Sequence, residues 1–248
     1  MSPKTSYAYD GKAKTPVVTV MDDDYLLQEN EDYTITYSDN IKVGTATVMI
    51  TGMGRYTGTV SVSFTILQVK KNNVIKSSNI TKTVSAKEQK VKIQATVNDK
   101  AKLTYSSNNK SVKVNSSGEI TIAKNFTGTA VITITAAETA RYKKTSCQIT
   151  VTVRPQNTSG ITAKSSKKGQ AKISWKPVKS ISGYQIQYST SANMKKAKAV
   201  IAKSNAKNAT LKKLSSKKNC YIRIRTYKTV KGKKYYSGWS AVKKVKIR

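Results

Sequence analysis

The sequence has no histidine in 248 residues. This absence removes the commonest general base, the Ser/His and Cys/His nucleophile pairs, and the commonest zinc ligand. Residues 156–248 also contain no Asp or Glu, so they cannot hold the two carboxylates of a glycoside hydrolase site. Ser and Lys are frequent everywhere, and nothing singles out one Ser–Lys pair. The sequence therefore predicts a chain that is not an enzyme and uses no cofactor.

Cysteines and long apolar runs are also scarce. The only cysteines are Cys147 and Cys220, each at an inward position of an alternating segment. We expect two free thiols buried in separate cores, where Cys behaves as a small hydrophobe. The apolar run Val17–Met21 predicts a strand, and it is too short to cross a membrane. Met1 is followed by Ser-Pro-Lys, which predicts no signal peptide, and we interpret the chain as part of a longer protein.

Charge is abundant but uneven. The formal net charge is +34. Residues 1–69 carry 5 Lys/Arg and 8 Asp/Glu, and residues 70–155 carry 16 and 4. Residues 156–248 carry 25 Lys/Arg without any acidic side chain. Such a gradient bears on binding partners and not on the fold, and it predicts attraction of the last part to polyanions.

Val, Ile, Thr and Tyr alternate with polar residues at a period of two along the whole chain, which predicts an all-β protein. The length suits two or three small domains. Pro155 and Gly160 lie in a polar segment that is typical of a domain boundary. We predict three tandem β-sandwich domains, at residues 1–69, 70–155 and 156–248.

The clearest alternation is at residues 220–227. The apolar set should face a core, and the other set, with its two arginines, should stand on an open sheet face. Trp239 is a candidate partner for these arginines through cation–π contact. The apolar set comprises Cys220, Ile222, Ile224 and Thr226, and the other set comprises Tyr221, Arg223, Arg225 and Tyr227.

Residues 156–248 resemble a fibronectin type III domain. The segment Tyr236–Ser240 is similar to the Trp-Ser-x-Trp-Ser box of cytokine-receptor versions of that fold, with Tyr in place of the first Trp. The resemblance implies that Tyr236 and Trp239 interleave with Arg223 and Arg225, and that Trp175 is the core Trp. The family also has a Leu six residues before a corner Tyr. Here Leu214 stands six residues before Cys220, so the corner hydroxyl is lost.

The first two domains carry resemblances of their own. Residues 1–69 resemble short Ig-like repeats of bacterial cell-surface proteins, through Asp32-Tyr33, Gly44-Thr45-Ala46 and the run Gly52–Gly58. Residues 70–155 resemble the bacterial Ig-like group 2 family, through Tyr-Ser-Ser-Asn-Asn from Tyr105 and Gly-Thr-Ala from Gly128. The resemblances imply Ig-like β-sandwiches at both places.

Two candidate binding sites follow from the residue types. The first is a basic and aromatic face that would bind an anionic cell-wall polymer or glycan, or else would be only a structural ladder. Lysine specifies poorly, and no nucleic-acid motif is visible. The second is an acidic segment whose carboxylate oxygens would hold calcium, or else would only solvate a hairpin loop; its spacing matches no EF-hand, so we predict the hairpin without metal. The segment comprises Asp22, Asp23 and Asp24 with Glu29, Glu31 and Asp32. The candidates on the first face are Tyr221, Arg223, Arg225, Tyr227, Lys233 and Lys234.

The resemblances imply a non-catalytic segment of a secreted bacterial cell-surface protein, extracellular and monomeric, acting as spacer and as adhesion or cell-wall module. A host surface protein is a further expected partner, and insertion into a membrane is not expected. Two alternatives stay open. One is an adhesin specific for a host glycan or immunoglobulin, and the other is a set of accessory modules of a carbohydrate-active enzyme.

Overall fold

The computed structural model describes residues 5–248, so the first four residues, and the signal-peptide prediction that depends on them, lie outside the described part. The chain is all-β with sandwich-like sheets, as predicted. It divides into two compact units. One unit holds the chain up to residue 74 with residues 98–101 and 137–145, and the other holds residues 75–97, 102–136 and 146–248. Within residues 5–248, no helix could cross a lipid bilayer.

Residues 5–69 form a four-stranded sheet and a small separate hairpin. The sheet has the order β1-β6-β5-β4, with β1 parallel to β6 and the other pairs antiparallel. Its core contains Ala46, Val48, Phe64 and Ile66, with Tyr7 edge-on to Phe64 at 5.5 Å between ring centroids. The strands are β1 Ser6–Ala8, β2 Met21–Asp22, β3 Tyr25–Leu26, β4 Tyr33–Ser38, β5 Gly44–Gly52 and β6 Thr59–Leu67.

The prediction of a strand at Val17–Met21 is wrong. Residues 17–20 are irregular, and Val17 is 89% exposed. Only Met21–Asp22 pairs, with Tyr25–Leu26, around a two-residue turn. Pro16 just before the segment has no N–H to give to a ladder, and Val20 is joined to the hairpin through its carbonyl, which accepts from Leu27 N–H at 3.1 Å. Residues 17–20 form no strand because no neighbouring strand pairs with them.

The middle part forms a second sandwich. Its sheets have the orders β11-β14-β15-β8 and β12-β13-β9, with β7 and β10 as a separate pair. The core is almost entirely Ile and Val, because both inner faces carry the apolar set of an alternating pattern. The strands are β7 Ile75–Ser77, β8 Ile80–Thr83, β9 Gln89–Lys92, β10 Ala95–Val97, β11 Leu103–Ser107, β12 Val112–Val114, β13 Glu119–Ile122, β14 Gly128–Ala136 and β15 Thr145–Arg154.

Cys147 corrects one expectation. It points inward and packs against the core of the middle sandwich, but it is only half-buried. It lies near the start of β15, where the burial of that strand is still incomplete, whereas Val151 and Val153 further along are fully buried. Burial raises the pKa of the Cys147 thiol. Both cysteines are free, so the expected absence of a disulfide holds while full burial applies to Cys220 alone.

The third sandwich packs a three-stranded sheet, β16-β17-β20, against a larger sheet with the path β19-β18-β21-β22. Strand β21 pairs with β18 along one edge, and along the other edge with β22 and then β23. Residues 237–242, between β22 and β23, form no strand, so this edge of β21 is interrupted there. The strands are β16 Thr162–Lys164, β17 Ala171–Ser174, β18 Gly183–Ser189, β19 Lys198–Lys203, β20 Asn208–Leu211, β21 Asn219–Val230, β22 Lys233–Tyr236 and β23 Lys243–Lys246.

Candidate functional site: an arginine–aromatic ladder

Strand β21 sorts its side chains between core and surface. Ile222, Ile224 and Thr226 are buried, whereas Arg223 and Arg225 between them are half-exposed. One face of this sheet is covered by the other sheet, so the two-residue period fixes which side chains face outward. The arginines therefore stand two residues apart on the same outer face.

Five side chains on this face form a stack, which we call the ladder: Tyr227, Tyr236, Arg225, Trp239 and Arg223. The guanidinium carbon of Arg225 lies 3.8 Å from the ring centroid of Tyr236 and 4.2 Å from that of Trp239. Arg223 covers the other side of the stack, at 4.4 Å from Trp239. The rings of Tyr236 and Tyr227 are 6.0 Å apart. These distances are within the range of cation–π contact, and Trp239 is shared by both arginines.

Two glutamines of the neighbouring strand β18 fix the guanidinium groups. Gln187 Oε1 accepts from Arg223 Nε at 2.9 Å and from Arg223 Nη2 at 2.7 Å, and Gln185 Oε1 accepts from Arg225 Nε at 2.8 Å. The register places Gln187 opposite Arg223 and Gln185 opposite Arg225. Amide oxygens are neutral, so both arginines are held in place without neutralisation of their charge. Burial lowers the pKa of Arg225, and repulsion from Arg223 acts in the same direction.

Two serines bind β21 where the edge strand is interrupted. Ser237 Oγ accepts from Thr226 N–H at 3.0 Å, and Ser240 Oγ accepts from Ile224 N–H at 3.0 Å. In return, Ser237 N–H donates to Thr226 O at 3.0 Å and Ser240 N–H to Ile224 O at 2.9 Å. Each serine hydroxyl thus takes the place of the backbone carbonyl that a regular edge strand would offer. It keeps a backbone N–H of β21 hydrogen-bonded. The sequence alone predicted no role for these serines, although they stand three residues apart, on either side of Gly238 and Trp239.

Three of the residues predicted to be structural, Trp175, Leu214 and Cys220, lie in or beside the core of the third sandwich, and the other two, Tyr236 and Trp239, lie in the ladder. Trp175 is buried, and its ring centroid is 5.0 Å from that of Tyr184. Leu214 packs against the same core, and Cys220 is buried within it. Burial raises the pKa of the Cys220 thiol. Tyr184 Oη accepts from Val178 N–H at 2.8 Å. A tyrosine hydroxyl therefore does bind the backbone here, but it comes from β18 and not from the corner position that Cys220 occupies.

The other predicted binding residues surround the ladder without all joining it. Lys234 Nζ lies 5.2 Å from the ring centroid of Tyr227, and Lys233 Nζ lies 5.5 Å from that of Tyr235. Tyr221 is on the same outer face, opposite Ser189 of β18 in the register. A cavity of about 360 Å³ brings together the predicted residues Arg225, Lys233 and Lys234 with Tyr236 and with Arg154, Thr129 and Thr152 of the middle sandwich.

The acidic segment forms no obvious ligand sphere. Asp23 lies at the turn of the β2–β3 hairpin with a φ of 50°, and Asp22 Oδ2 accepts from Tyr56 Oη at 3.4 Å. Asp32 Oδ2 accepts from the N–H of Gln28 at 2.9 Å. Among residues 5–248, no three acidic or cysteine side chains lie close enough together to hold a metal ion.

Comparison with known proteins assigns no family to the chain. No protein-family model matches the sequence, and no curated protein matches it. Similar solved structures include the FN1–FN3 domains of chicken CNTN1 (14% identity, 85% of this chain and 80% of that one, TM-score 0.36). They also include titin domains (12%, 91% and 85%, 0.31) and the fn3 domain of the human collagen alpha-1(XX) chain (14%, 38% and 89%, 0.33). At these scores, the strand order and register described above define the fold class.

Proposed function

We propose that the chain is a non-catalytic spacer and interaction segment of a secreted bacterial cell-surface protein, and that its third sandwich binds an anionic cell-wall polymer or glycan. One observation carries the binding proposal: the 25 Lys/Arg residues of 156–248 meet no acidic side chain within that part of the sequence. The four ion pairs found among residues 5–248 all involve acids that precede residue 156. The field of this sandwich is therefore uncompensated and attracts polyanions.

The ladder adds an ordered surface to this charge. Arg223 and Arg225 are held between aromatic rings and amide oxygens, so their positive charge is fixed in place at no cost in further ordering. The cavity beside the ladder offers Arg154 and Arg225 for planar two-point contact with an anionic group, Thr129 and Thr152 hydroxyls, and the ring of Tyr236. Arginine, hydroxyls and an aromatic ring together suit an anionic sugar or polyol chain.

The test is binding of the full chain to immobilised poly(glycerol phosphate) and, as a neutral control, dextran, between about 0.05 M and about 0.3 M salt. We expect the chain to bind the polymer and not dextran. The logarithm of the binding constant should fall linearly with the logarithm of the salt concentration, because the release of counterions drives the binding. The variant Lys233→Gln/Lys234→Gln should weaken binding more than Lys167→Gln/Lys168→Gln, which removes the same charge from another loop of the sandwich. Equal binding to dextran, or no binding at low salt, would overturn the proposal.

A further inference from the structure

A second cavity lies wholly within the third sandwich, at the opposite end of β21 from Tyr227. It has a volume of about 160 Å³. Its inner wall includes Cys220, Ile247 and Ser189, all of them buried, and the half-buried Leu214 and Tyr188. Cys220 lies at the start of β21. A side chain as small as that of Cys leaves space beside it that a larger one would fill.

Five lysines line the same cavity. They come from two stretches of the chain: the end of the β18–β19 connection with the first residue of β19, and the connection from β20 to β21. Among residues 5–248 none of them forms an ion pair, so five like charges line the cavity without an acidic partner. Two of them, Lys196 and Lys213, adopt positive φ values of 49° and 56°, which is uncommon outside Gly and Asn. The five are Lys195, Lys196, Lys198, Lys213 and Lys218.

The charge of these residues suits a compact and highly charged anion. Lysine presents a compact point charge with three donors and binds phosphate in that way. The cavity is lined by lysine without arginine, and a phosphate group carries more charge and more acceptor oxygens than a carboxylate. The apolar wall of Leu214, Cys220 and Ile247 leaves room for a small carbon skeleton attached to the phosphate.

We propose that this cavity binds the phosphate group of a phosphate ester, either a free phosphomonoester or one unit of a polyol-phosphate polymer. The proposal deepens the proposed function by naming the group bound, and it rests on that function only where the polymer is concerned. It concerns a different surface from the ladder, because the ladder residues do not line this cavity. Binding of a small free ester therefore tests the cavity by itself.

The structure supplies an internal reporter for the test. Cys220 lines the cavity, and Cys147, the only other thiol, belongs to the middle sandwich. The full chain is alkylated with iodoacetamide, a neutral reagent, in the presence of glycerol 3-phosphate, poly(glycerol phosphate) or glycerol. We expect glycerol 3-phosphate to slow the alkylation of Cys220 and to leave that of Cys147 unchanged, and glycerol to affect neither. Equal slowing of both thiols, or of neither, would overturn the proposal.

A charge-matched pair of variants provides an independent readout by calorimetric titration. Lys196→Gln/Lys213→Gln should weaken glycerol 3-phosphate binding roughly tenfold or more, since hydrogen bonds to a charged group are lost. Lys176→Gln/Lys179→Gln removes the same charge from the exposed connection between β17 and β18, which does not line the cavity, and should change it by less than about twofold. Equal effects of the two pairs would mean diffuse attraction and no site. These variants keep the test independent of whether a cavity-filling change at Cys220 still folds.

The two proposals can fail separately. Protection of Cys220 by both the ester and the polymer identifies a unit of the polymer as the ligand, and protection by the ester alone identifies a free phosphomonoester. Polymer binding without protection of Cys220 by either ligand leaves the proposed function standing and removes the cavity proposal. Protection of Cys220 by the ester without any binding to the polymer would support the cavity proposal and overturn the proposed function.

Discussion

Removing Trp239 should destabilise the third sandwich far more than removing a neighbouring lysine. Trp239 is in contact with both Arg223 and Arg225, at 4.4 and 4.2 Å. A partly desolvated cation–π contact contributes about 1 kcal/mol, so the loss of two, together with some apolar burial, gives about 2–3 kcal/mol for Trp239→Ala. Lys234→Ala removes one exposed contact, at 5.2 Å from Tyr227, and should cost no more than about 0.5 kcal/mol.

The chain offers a convenient assay for this difference. Its only two tryptophans are Trp175 and Trp239, both in the third sandwich, so tryptophan fluorescence follows that sandwich within the intact chain. Trp175 is buried and remains as reporter in the Trp239→Ala variant. For a domain of this size, about 2 kcal/mol corresponds to a fall in melting temperature of roughly 10 °C.

A double-mutant cycle separates the cation–π contribution from simple loss of contact area. Arg225→Met and Trp239→Leu, alone and together, should show a coupling energy of about 1 kcal/mol. Equal melting temperatures for Trp239→Ala and Lys234→Ala, or a coupling energy near zero, would show that the cation–π contacts of Trp239 do not stabilise the sandwich.

Three further predictions use the same fluorescence assay. Ser237→Ala leaves the N–H of buried Thr226 unpaired and should cost about 1–3 kcal/mol, more than the same change at the half-exposed Ser240; a silent Ser237→Ala would contradict the role of its hydroxyl. Gly183→Ala should destabilise by about 1–3 kcal/mol, because its Cβ would lie 2.6 Å from Ala202 O and 2.8 Å from Tyr227 Oη. Gly238→Ala, with no contact under 3.6 Å, is the control and should be near neutral. The pKa of Cys220 is raised above its ordinary 9.0, so the neutral thiol contributes to stability fully below about pH 9, and this contribution is lost as the pH rises further. Cys220→Ala should therefore lose less stability at alkaline pH than the parent chain. Identical profiles of stability against pH would refute this.

The alternation of β21 was enough to predict which of its side chains face the core. The reason is that one face of its sheet is covered, so a shift of one residue would bury both arginines. The motif around Trp239 likewise predicted its partners. Trp175 was placed in the core from resemblance, and it is buried there.

The partners of the arginines across the sheet could not be read from the sequence. Gln187 and Gln185 precede Arg223 and Arg225 by 36 and 40 residues, and only the register between β18 and β21 brings each pair together. A usable signal existed, since the two glutamines alternate with Tyr184 and Ile186 and so must face outward. The cavity beside Cys220 depends on the packing of loops from two stretches of the chain, which no local pattern specifies.

The absence of acidic side chains from residues 156–248 has a consequence for the range of surroundings in which this sandwich keeps its form. Unfolding at low pH mostly comes from protonation of carboxylates that are paired in the native state, and this sandwich has none in its side chains. Lysine and arginine stay charged throughout acidic and neutral conditions. Acidification would therefore leave the charge of its side chains unchanged, and it would act on residues 1–155, which hold all twelve acidic side chains. The basic sandwich is in this sense an acid-tolerant module with a constant side-chain charge.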